Sequence, residues 1–396
     1  MLALSSYVEQ TARRAIGFRV ASSRKKKKPR QVVAMSNEFS SPLPPHPRVG
    51  DEICVAGTWI HSGAPNKVVT WIDQGGFDGY KTTPALPLDT APGASATQRN
   101  VTQNNPPELV FGEVKRYGSR RLKRRVGASG GTTATGATGT TGTGTTATGT
   151  TTTGTTATPP RGPRGSLVTD AADLKRCVTQ LVIHHDACGN SSLGFKAMHH
   201  DKGLSCHFLL DIDGRIFQTL DVMERAWHAG DADDVSIGVT LASLGAFREP
   251  EDLGTTPFDV EDGDNCVENV DFVRGVVNGQ TYVQAPFSDK QTVALCKLYA
   301  ALLHAFPLLR LGYPLEDEKM EAGFSFSDTV RSDSSDNTER YPSVCREKLT
   351  DDRRHSYRGV LGNFHVDATR NGPGPAFRWS ELVAKTKESL LTTGAV

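Results

Sequence analysis

Residues 180–244 constrain the fold of this chain more than any other segment. The apolar run Leu181-Val182-Ile183 predicts a buried strand, and it ends in the pair His184-His185. Two further apolar runs, residues 208–213 and 214–220, flank Asp213-Gly214, a dipeptide typical of a tight turn. They predict a β-hairpin. Residues 235–241 are again apolar and predict another strand.

Helical patterns alternate with these strands. Residues 170–176 and 195–200 predict short helices, and residues 288–306 carry the clearest helical periodicity, with Ser288 or Asp289 as its N-cap. A closing helix is expected from Trp379. Strands interleaved with helices favour an α/β fold with a central sheet.

Composition divides the chain into four parts. Residues 1–30 are basic, and residues 31–126 form an accessory module with a predicted strand at residues 68–72. This module has little apolar surface, so we expect it to pack on the main domain. Residues 127–165 are Thr, Gly and Ala-rich and predict a disordered tether. The main domain is expected at residues 166–396, with polar insertions near 248–269 and 316–347.

The N-terminal 30 residues contain nine basic residues and a single acid, Glu9, which is typical of a mitochondrial transit peptide. Two alternatives are a nuclear localisation run at residues 24–30 and a disordered basic tail, leading to a nuclear or cytoplasmic location. No apolar run approaches the roughly 18 residues of a membrane span. The seven cysteines include no Cys-x-x-Cys pair, so we expect reduced thiols.

Net charge is only +1, which predicts neither a nucleic-acid binder nor a binder of acidic ligands from bulk charge alone. One segment differs locally. Residues 115–125 hold seven basic residues around Tyr117. They could contact a phosphate backbone, or they could be a solvated basic edge. The basic residues are Lys115, Arg116, Arg120, Arg121, Lys123, Arg124 and Arg125.

His184, at the end of a predicted buried strand, is well placed to ligate a metal. A catalytic zinc needs about three protein ligands and one open position for water. Zinc lowers the pKa of that water to about 7, and a carboxylate base with an oxyanion partner would complete a hydrolase. Cys206 and His207 are neighbours on one strand and point to opposite faces, which argues against a Cys–His nucleophile pair.

Five motifs in order resemble the type 2 N-acetylmuramoyl-L-alanine amidases, a family of zinc enzymes that includes the peptidoglycan recognition proteins. The motifs are Val182-Ile183-His184-His185, Ser205-Cys206-His207-Phe208-Leu209 with Asp213-Gly214, Arg225-Ala226-Trp227-His228-Ala229-Gly230, Ser236-Ile237-Gly238-Val239, and Pro373-Gly374-Pro375-Ala376-Phe377. The resemblance implies a central mixed sheet flanked by helices, a zinc cleft, and cleavage of the bond between muramic acid and L-alanine.

The resemblance also implies a catalytic set, which this chain mostly lacks. The first zinc ligand corresponds to His184. The positions of the second and third ligands hold Asn363 and Gly372, the catalytic Glu position holds Thr240, and the oxyanion Lys position holds Arg370. One histidine cannot hold a catalytic zinc, and threonine is no base near neutral pH. A shifted site from His184, His365 and Asp367 is conceivable if the strand continues past Asn363, because alternate residues share a face.

Three functions follow. The first is a catalytically lapsed amidase-like protein, without a cofactor, that serves as a structural or binding component of a large protein or RNA–protein assembly such as the mitochondrial ribosome. The second is an active zinc amidase on peptidoglycan, and the third is a non-catalytic reader of muropeptides. The replacements at Thr240, Asn363 and Gly372 favour the first.

Overall fold

The computed structural model describes residues 48, 50–84, 109–110, 113–122, 165–248, 271–318, 325 and 341–392. Its strands are β1 Glu52–Val55, β2 Thr58–His61, β3 Val69–Thr70, β4 Thr83–Pro84, β5 Leu109–Val110, β6 Glu113–Val114, β7 Tyr117–Ser119, β8 Gln180–His185, β9 Phe208–Leu210, β10 Ile216–Gln218, β11 Glu224–Ala226, β12 Ser236–Leu241, β13 Ala246–Arg248, β14 Val273–Val277, β15 Gln280–Gln284 and β16 Gly359–Gly362.

Six α-helices lie in the described residues. They are α1 Ala171–Cys177, α2 Ser191–Phe195, α3 Asp289–Ala305, α4 Asp351–Ser356, α5 Asn363–Val366 and α6 Trp379–Thr392. A π-helical turn, Lys196–Asp201, continues α2, and a 3₁₀ turn spans Gly230–Ala232. None of these helices is long and apolar enough to span a membrane.

The centre of the molecule is a six-stranded sheet with the order β16-β8-β12-β9-β10-β3. Strands β16, β8, β12 and β9 run parallel, β10 is antiparallel to β9, and β3 is parallel to β10. The predicted α/β fold with a mixed sheet is therefore confirmed. The hairpin β9–β10 turns at Asp211–Arg215, where Gly214 has the positive φ of 80° that favours glycine.

Alternation along the central strands divides the sheet into two faces. Leu181 and Ile183 of β8, with Ile237 and Val239 of β12, belong to the main hydrophobic core under α3 and α6. The intervening side chains face the other way, where Val182 packs in a much smaller apolar cluster. His184 of β8 and Thr240 of β12 thus share the second face, the face that carries the candidate site.

Helix α3 forms where the sequence predicted it. Ser288 accepts a hydrogen bond from Gln291 N and its own N–H donates to Gln291 Oε1, a complete capping box. Such caps contribute about 1 kcal/mol. Helices α1, with its predicted cap Asp170, and α6 are confirmed as well, and the predicted helix at residues 195–200 is the π-helical turn.

The N-terminal segment is part of the main sheet, as its small apolar surface led us to expect. Strand β3 pairs with β10 at the sheet's edge, and β7 pairs with β11. Ile53 and Val68 are fully buried in the main core. The predicted strand at residues 68–72 is shorter than expected, because the chain turns after Thr70, where Asp73 N donates to Thr70 O.

The residues on either side of the Thr/Gly/Ala-rich segment lie next to each other in the structure. Arg121 and Leu167 form an antiparallel bridge, and Leu122 N donates to Ser166 O at 2.9 Å. The predicted tether itself lies outside the described residues. Because its two ends meet within one fold, the flanking parts are one structural unit and not two tethered ones.

Beyond the central sheet, three short strands form a sheet with the order β13-β15-β14 that the sequence did not predict. It flanks residues 249–270, which hold most of the first predicted insertion and lie outside the described part. Most of the second insertion and all of residues 1–30 also lie outside it. Leu315 and Val344, at the two ends of the second insertion, form an antiparallel bridge.

Candidate functional site

Three of the positions implied by the family resemblance meet at the carboxyl ends of neighbouring parallel strands. Thr240 on β12 is the register partner of His184 on β8. Gly362 on β16 is the partner of Ile183, so Asn363 follows directly beside His184 on its other side. The fold therefore gathers these positions although His184 and Asn363 are 179 residues apart in sequence.

Gly372 completes this arrangement. A Cβ built on Gly372 would lie 3.4 Å from His184 Cα and 3.1 Å from His185 Cδ2. Gly372 O accepts from Phe364 N at 3.1 Å, which fixes this loop against the helix that follows β16. Position 372 is thus in contact with the end of β8, but glycine contributes no ligand atom there.

His184 is held by a chain of hydrogen bonds from inside the protein. Its Nε2 lies 2.9 Å from His228 Nδ1, and His228 Nε2 lies 3.3 Å from Ser236 Oγ. Because the Ser236 hydroxyl donates to Ala232 O at 2.7 Å, its oxygen accepts from His228 Nε2–H. His228 Nδ1 is then the acceptor for His184 Nε2–H. This order requires the His228 imidazole to be neutral.

Electrostatics agree with neutral imidazoles. Burial, with contributions from nearby Arg370 and His185, lowers the pKa of His184 to about 3. Burial together with His184 and His207 lowers the pKa of His228 well below its usual value. Both side chains are less than 9% exposed.

The Thr240 side chain has a hydrogen-bond partner inside the protein. Its Oγ1 donates to Cys206 Sγ at 3.3 Å, and both side chains are buried. Burial raises the pKa of the Cys206 thiol to about 12, so it is not a thiolate nucleophile at neutral pH. Gly238 lies between Cys206 and His228, where a Cβ would come within 2.8 Å of each. Only glycine fits there.

His207, on the strand that leads to the hairpin, belongs to a second buried group and not to the site's edge. Its Nδ1 accepts from Gly238 N at 3.0 Å, and its Nε2 lies 3.0 Å from Glu224 O and 2.9 Å from an Arg120 amino group. His185 points to the other side of His184, with its Nε2 3.0 Å from Asn371 Oδ1.

The last parallel strand does not continue past Asn363, which was the condition for the shifted site. The strand ends at Gly362, and Asn363–Val366 is a helical turn. His365 is fully buried in that turn; its Nδ1 accepts from Gly362 N at 2.8 Å and its Nε2 lies 2.7 Å from Cys345 O. Both nitrogens therefore serve the backbone, which leaves none for a metal.

Asp367 and Arg370 form a turn of their own. Asp367 Oδ1 accepts from Thr369 N at 2.9 Å, and Asp367 Oδ2 lies 3.8 Å from Arg370 Nε. Within the described residues, no group of three His, Cys, Asp or Glu ligand atoms lying within 4.8 Å of one another includes His184. The shifted site from His184, His365 and Asp367 is thus not assembled.

A zinc ion does not fit these residues. Of the positions that the resemblance implies, only His184 carries a side chain typical of zinc ligands, and one of its two nitrogens is bonded to His228. Threonine, asparagine and glycine occupy the other positions. The described residues hold one cluster of suitable ligand types, Asp51, Glu52 and His61, which lies on a different part of the chain.

The basic segment is only partly available to a phosphate backbone. Arg120 is completely buried and Arg116 is 4% exposed, so the prediction that these two contact nucleic acid is wrong. Lys115 and Arg121 are half-buried. Lys123, Arg124 and Arg125 lie outside the described residues.

Arg120 has a structural role that the sequence did not predict. Its guanidinium donates to the carbonyls of Val222, Asp233, Asp234 and Ser236 at 2.9–3.1 Å. It thereby pins the loop that carries His228. A lone arginine in a basic run gives no signal of such burial, since arginines are mostly exposed. The sequence did not predict the His184–His228 contact either, because the sheet brings these two motifs together.

Part of the chain matches a known family. Residues 174–313 match the family model described as N-acetylmuramoyl-L-alanine amidase. Among curated proteins, no sequence matches this chain significantly. The matched segment includes His184, His228 and Thr240, whereas Asn363 and Gly372 lie beyond its end.

Solved structures of amidases are also similar. The N-acetylmuramyl-L-alanine amidase AmiD from E. coli, in complex with anhydro-N-acetylmuramic acid-L-Ala-D-gamma-Glu-L-Lys, is 19% identical; the match covers 52% of this chain and 57% of that one, with a TM-score of 0.30. AmpDh3 from Pseudomonas aeruginosa, in complex with anhydromuramic pentapeptide, is 19% identical over 52% of this chain and 59% of that one, with a TM-score of 0.30.

A third similar structure is the endolysin amidase LysCS from Clostridium intestinale, 13% identical over 54% of this chain and 85% of that one, with a TM-score of 0.26. This chain thus spans less than two thirds of AmiD and AmpDh3. Since all three TM-scores are below 0.5, the family assignment depends on the matched segment alone. Residues 174–313 of this chain match the N-acetylmuramoyl-L-alanine amidase family.

Proposed function

We propose that this protein is a catalytically lapsed amidase that acts as a binding or structural component and not as a hydrolase. One observation carries the proposal. The positions that the family resemblance assigns to zinc and base converge at one sheet edge, but Thr240, Asn363 and Gly372 stand there beside His184. The scaffold persists where the chemistry has been replaced.

The hydrogen bonds of the remaining residues support the same proposal. Thr240 is tied to Cys206, and His184 is tied to His228, so both side chains have internal partners. A residue kept for a metal would present its free nitrogen to a converging set of ligands, as zinc sites require. At this edge the neighbouring positions provide an amide, a hydroxyl and no side chain.

The test is zinc content together with hydrolysis. Full-length wild-type protein and His184→Ala, both purified without chelator, should hold the same amount of zinc. The wild-type protein should release no peptide from anhydro-muropeptide. Wild-type protein holding one equivalent of zinc that disappears in His184→Ala, together with peptide release, would establish an active amidase and overturn the proposal.

A gain-of-function variant sharpens this test. Thr240→Glu, Asn363→His and Gly372→Asp combined would restore the ligand types and the base at the positions that the resemblance implies. The Cβ at position 372 has neighbours at 3.1–3.4 Å, so the added carboxylate requires a small adjustment. We expect the triple variant to gain about one equivalent of zinc, and Thr240→Glu alone, the matched control, to gain none.

A muropeptide reader is the second candidate, because AmiD and AmpDh3 are seen in complex with muropeptide ligands and this chain keeps the family scaffold. Isothermal titration with anhydro-muropeptide distinguishes the two. Saturable heat without hydrolysis favours a reader, and no heat at millimolar ligand favours a structural component.

We further propose a mitochondrial location and membership of a large assembly, on the basis of the nine basic residues among the first 30. A fluorescent fusion should colocalise with mitochondria, and deletion of residues 1–30 should abolish this. Sedimentation of mitochondrial lysate tests the assembly, because a component should travel far ahead of a free 42.6 kDa chain. Nuclease treatment before sedimentation separates an RNA–protein assembly from a purely protein one.

A further inference from the structure

A second set of metal-ligand side chains lies on the N-terminal hairpin, away from the sheet edge described above. Strands β1 and β2 are antiparallel, and Glu52 is the direct register partner of His61. The connecting residues Ala56 and Gly57 both have positive φ, at 49° and 72°, which is the geometry of a tight two-residue hairpin. The backbone that carries the two side chains is therefore short and rigid.

Asp51 joins this pair from the start of the hairpin. His61 Nδ1 lies 2.8 Å from Asp51 Oδ1 and 4.0 Å from Glu52 Oε1. One ligand atom from each of the three residues can be chosen so that all lie within 4.8 Å of one another. An ion with ligand distances of about 2.0–2.2 Å spans atoms up to about 4.4 Å apart, so it can bridge His61 Nδ1 to either carboxylate as they stand.

The carboxylates are also fixed from behind. Asp51 Oδ2 accepts from Gly63 N at 2.9 Å, and Glu52 Oε2 accepts from Gly50 N at 2.7 Å. In each case one oxygen is oriented by the backbone while the other faces His61. Such outer hydrogen bonds orient ligands in metal sites.

The two sides of this cluster differ in exposure. The Glu52 side chain is only 6% exposed, so its carboxylate lies on the inner side. His61 is 70% exposed, so water can reach the open side and complete the coordination.

We propose that Asp51, Glu52 and His61 bind a divalent transition-metal cation of the zinc type. Imidazole nitrogen suits Zn²⁺, Ni²⁺ and Cu²⁺ better than Mg²⁺ or Ca²⁺, which prefer all-oxygen sites. One nitrogen and two carboxylates leave at least one position open to solvent. This site is independent of the lapsed amidase edge and shares no residue with it.

The experiment titrates ZnCl₂ into EDTA-stripped, full-length protein by calorimetry. We expect one site, weakened in His61→Ala by at least the roughly 10–100-fold that loss of an outer partner costs a metal site. His61→Ala should fold normally because the side chain is exposed. Asp51→Asn should weaken zinc as well. His304→Ala, an exposed histidine on α3, is the matched control and should bind like wild type.

Cobalt(II) identifies the ligands. Occupation of this site should give d–d absorption without the intense charge-transfer band of a thiolate, although six free cysteines lie among the described residues. Absence of zinc binding, equal binding by His61→Ala, or a thiolate band on the bound cobalt would overturn the proposal. Zinc lost in His184→Ala and kept in His61→Ala would instead place the metal at the amidase edge, and would overturn the proposed function as well.

Discussion

The nitrogen of His184 that faces the interior already has a partner, and this determines what the residue can do. Its Nε2–H is directed to His228, which is directed to Ser236 in turn. These hydrogen bonds end at a backbone carbonyl, and His228 Nδ1 can accept only while it carries no proton. Burial lowers the pKa of His184 to about 3, so its imidazole is neutral near pH 7 and its protonation should destabilise the fold.

This gives a pH dependence whose sign can be worked out. Burial lowers the pKa of His184, His207 and His365 to about 3 in the native protein, against about 6.5 when unfolded. Between these values the unfolded chain binds protons that the native chain does not. Stability from these groups is thus full above about pH 6.5 and is lost as the pH falls toward 3.

Two buried carboxyls act in the opposite direction. Burial raises the pKa of Asp186 and of Asp233 to about 6, so the native state takes up protons there between about pH 4 and 6 and gains stability on acidification.

A variant isolates the histidine contribution. His184→Gln should flatten the slope of unfolding free energy against pH by about 1.4 kcal/mol per pH unit between pH 4 and 6. Urea titrations across pH 4–7.5 measure this, and an unchanged slope would contradict it.

Replacement of Arg120 should lower the free energy of unfolding strongly. Arg120→Met would remove the guanidinium donor from four backbone carbonyls, of which Asp234 O keeps Cys177 Sγ as a donor, and each buried group left unsatisfied costs about 1–3 kcal/mol. We expect a loss of more than about 3 kcal/mol in unfolding free energy, measured by chemical denaturation. Arg176→Met, which removes an exposed side chain paired with Asp173, should cost about 0.5 kcal/mol or less. Similar losses in both variants would refute the buried role.

At the scale of secondary structure, the elements with long or strongly patterned sequences were predictable. Helix α3 has 17 residues and a capping box, and hairpin β9–β10 has an Asp-Gly turn. The missed elements are short. Strands β13–β15 have at most five residues each with mixed exposure, and α5 is a single turn, too short for any periodicity. That turn is why His365 does not face the site.

The strand ends explain what could be predicted of the site. Sequence order placed His184 at the end of a buried strand, and the parallel register then brings Thr240 and Asn363 beside it. The internal partners could not be predicted. His228 and Cys206 lie in segments whose distance from His184 depends on loops and on the sheet's order.

The hydrogen bond between Leu122 and Ser166 leads to a prediction about the segment between them. Residues 123–164 can be replaced by a five-residue Gly/Ser loop, because the flanking backbones are hydrogen-bonded at 2.9 Å. For the disordered tether that the composition predicts, shortening about eightfold amounts to three halvings, each worth about 0.6 kcal/mol, so up to about 2 kcal/mol of stabilisation is expected. Thermal unfolding of the replaced and parent proteins measures it, and a collapse of the fold would show that the segment is structurally required.

At the scale of the whole molecule, the family segment is not a separable unit. It lies within residues 174–313, yet its sheet is completed at one edge by β3 and at the other by β16, which come from either side of it. Ile53 and Val68 fill the same core as the strands, and Arg120 holds the loop beside His184. The N-terminal part therefore contributes to the sheet, the core and the site.

A truncation tests this dependence. A chain of residues 165–396 loses β3, β7 and the Arg120 guanidinium together, and it exposes Gln218, which holds both backbone groups of Cys54. We expect it to be unfolded or aggregated, as judged by circular dichroism and gel filtration. Adding residues 48–122 as a separate chain should restore the fold, because the two pieces pair through strands and not only through the covalent link. A truncated chain that unfolds cooperatively with the parent's midpoint would show instead that the N-terminal part is an accessory.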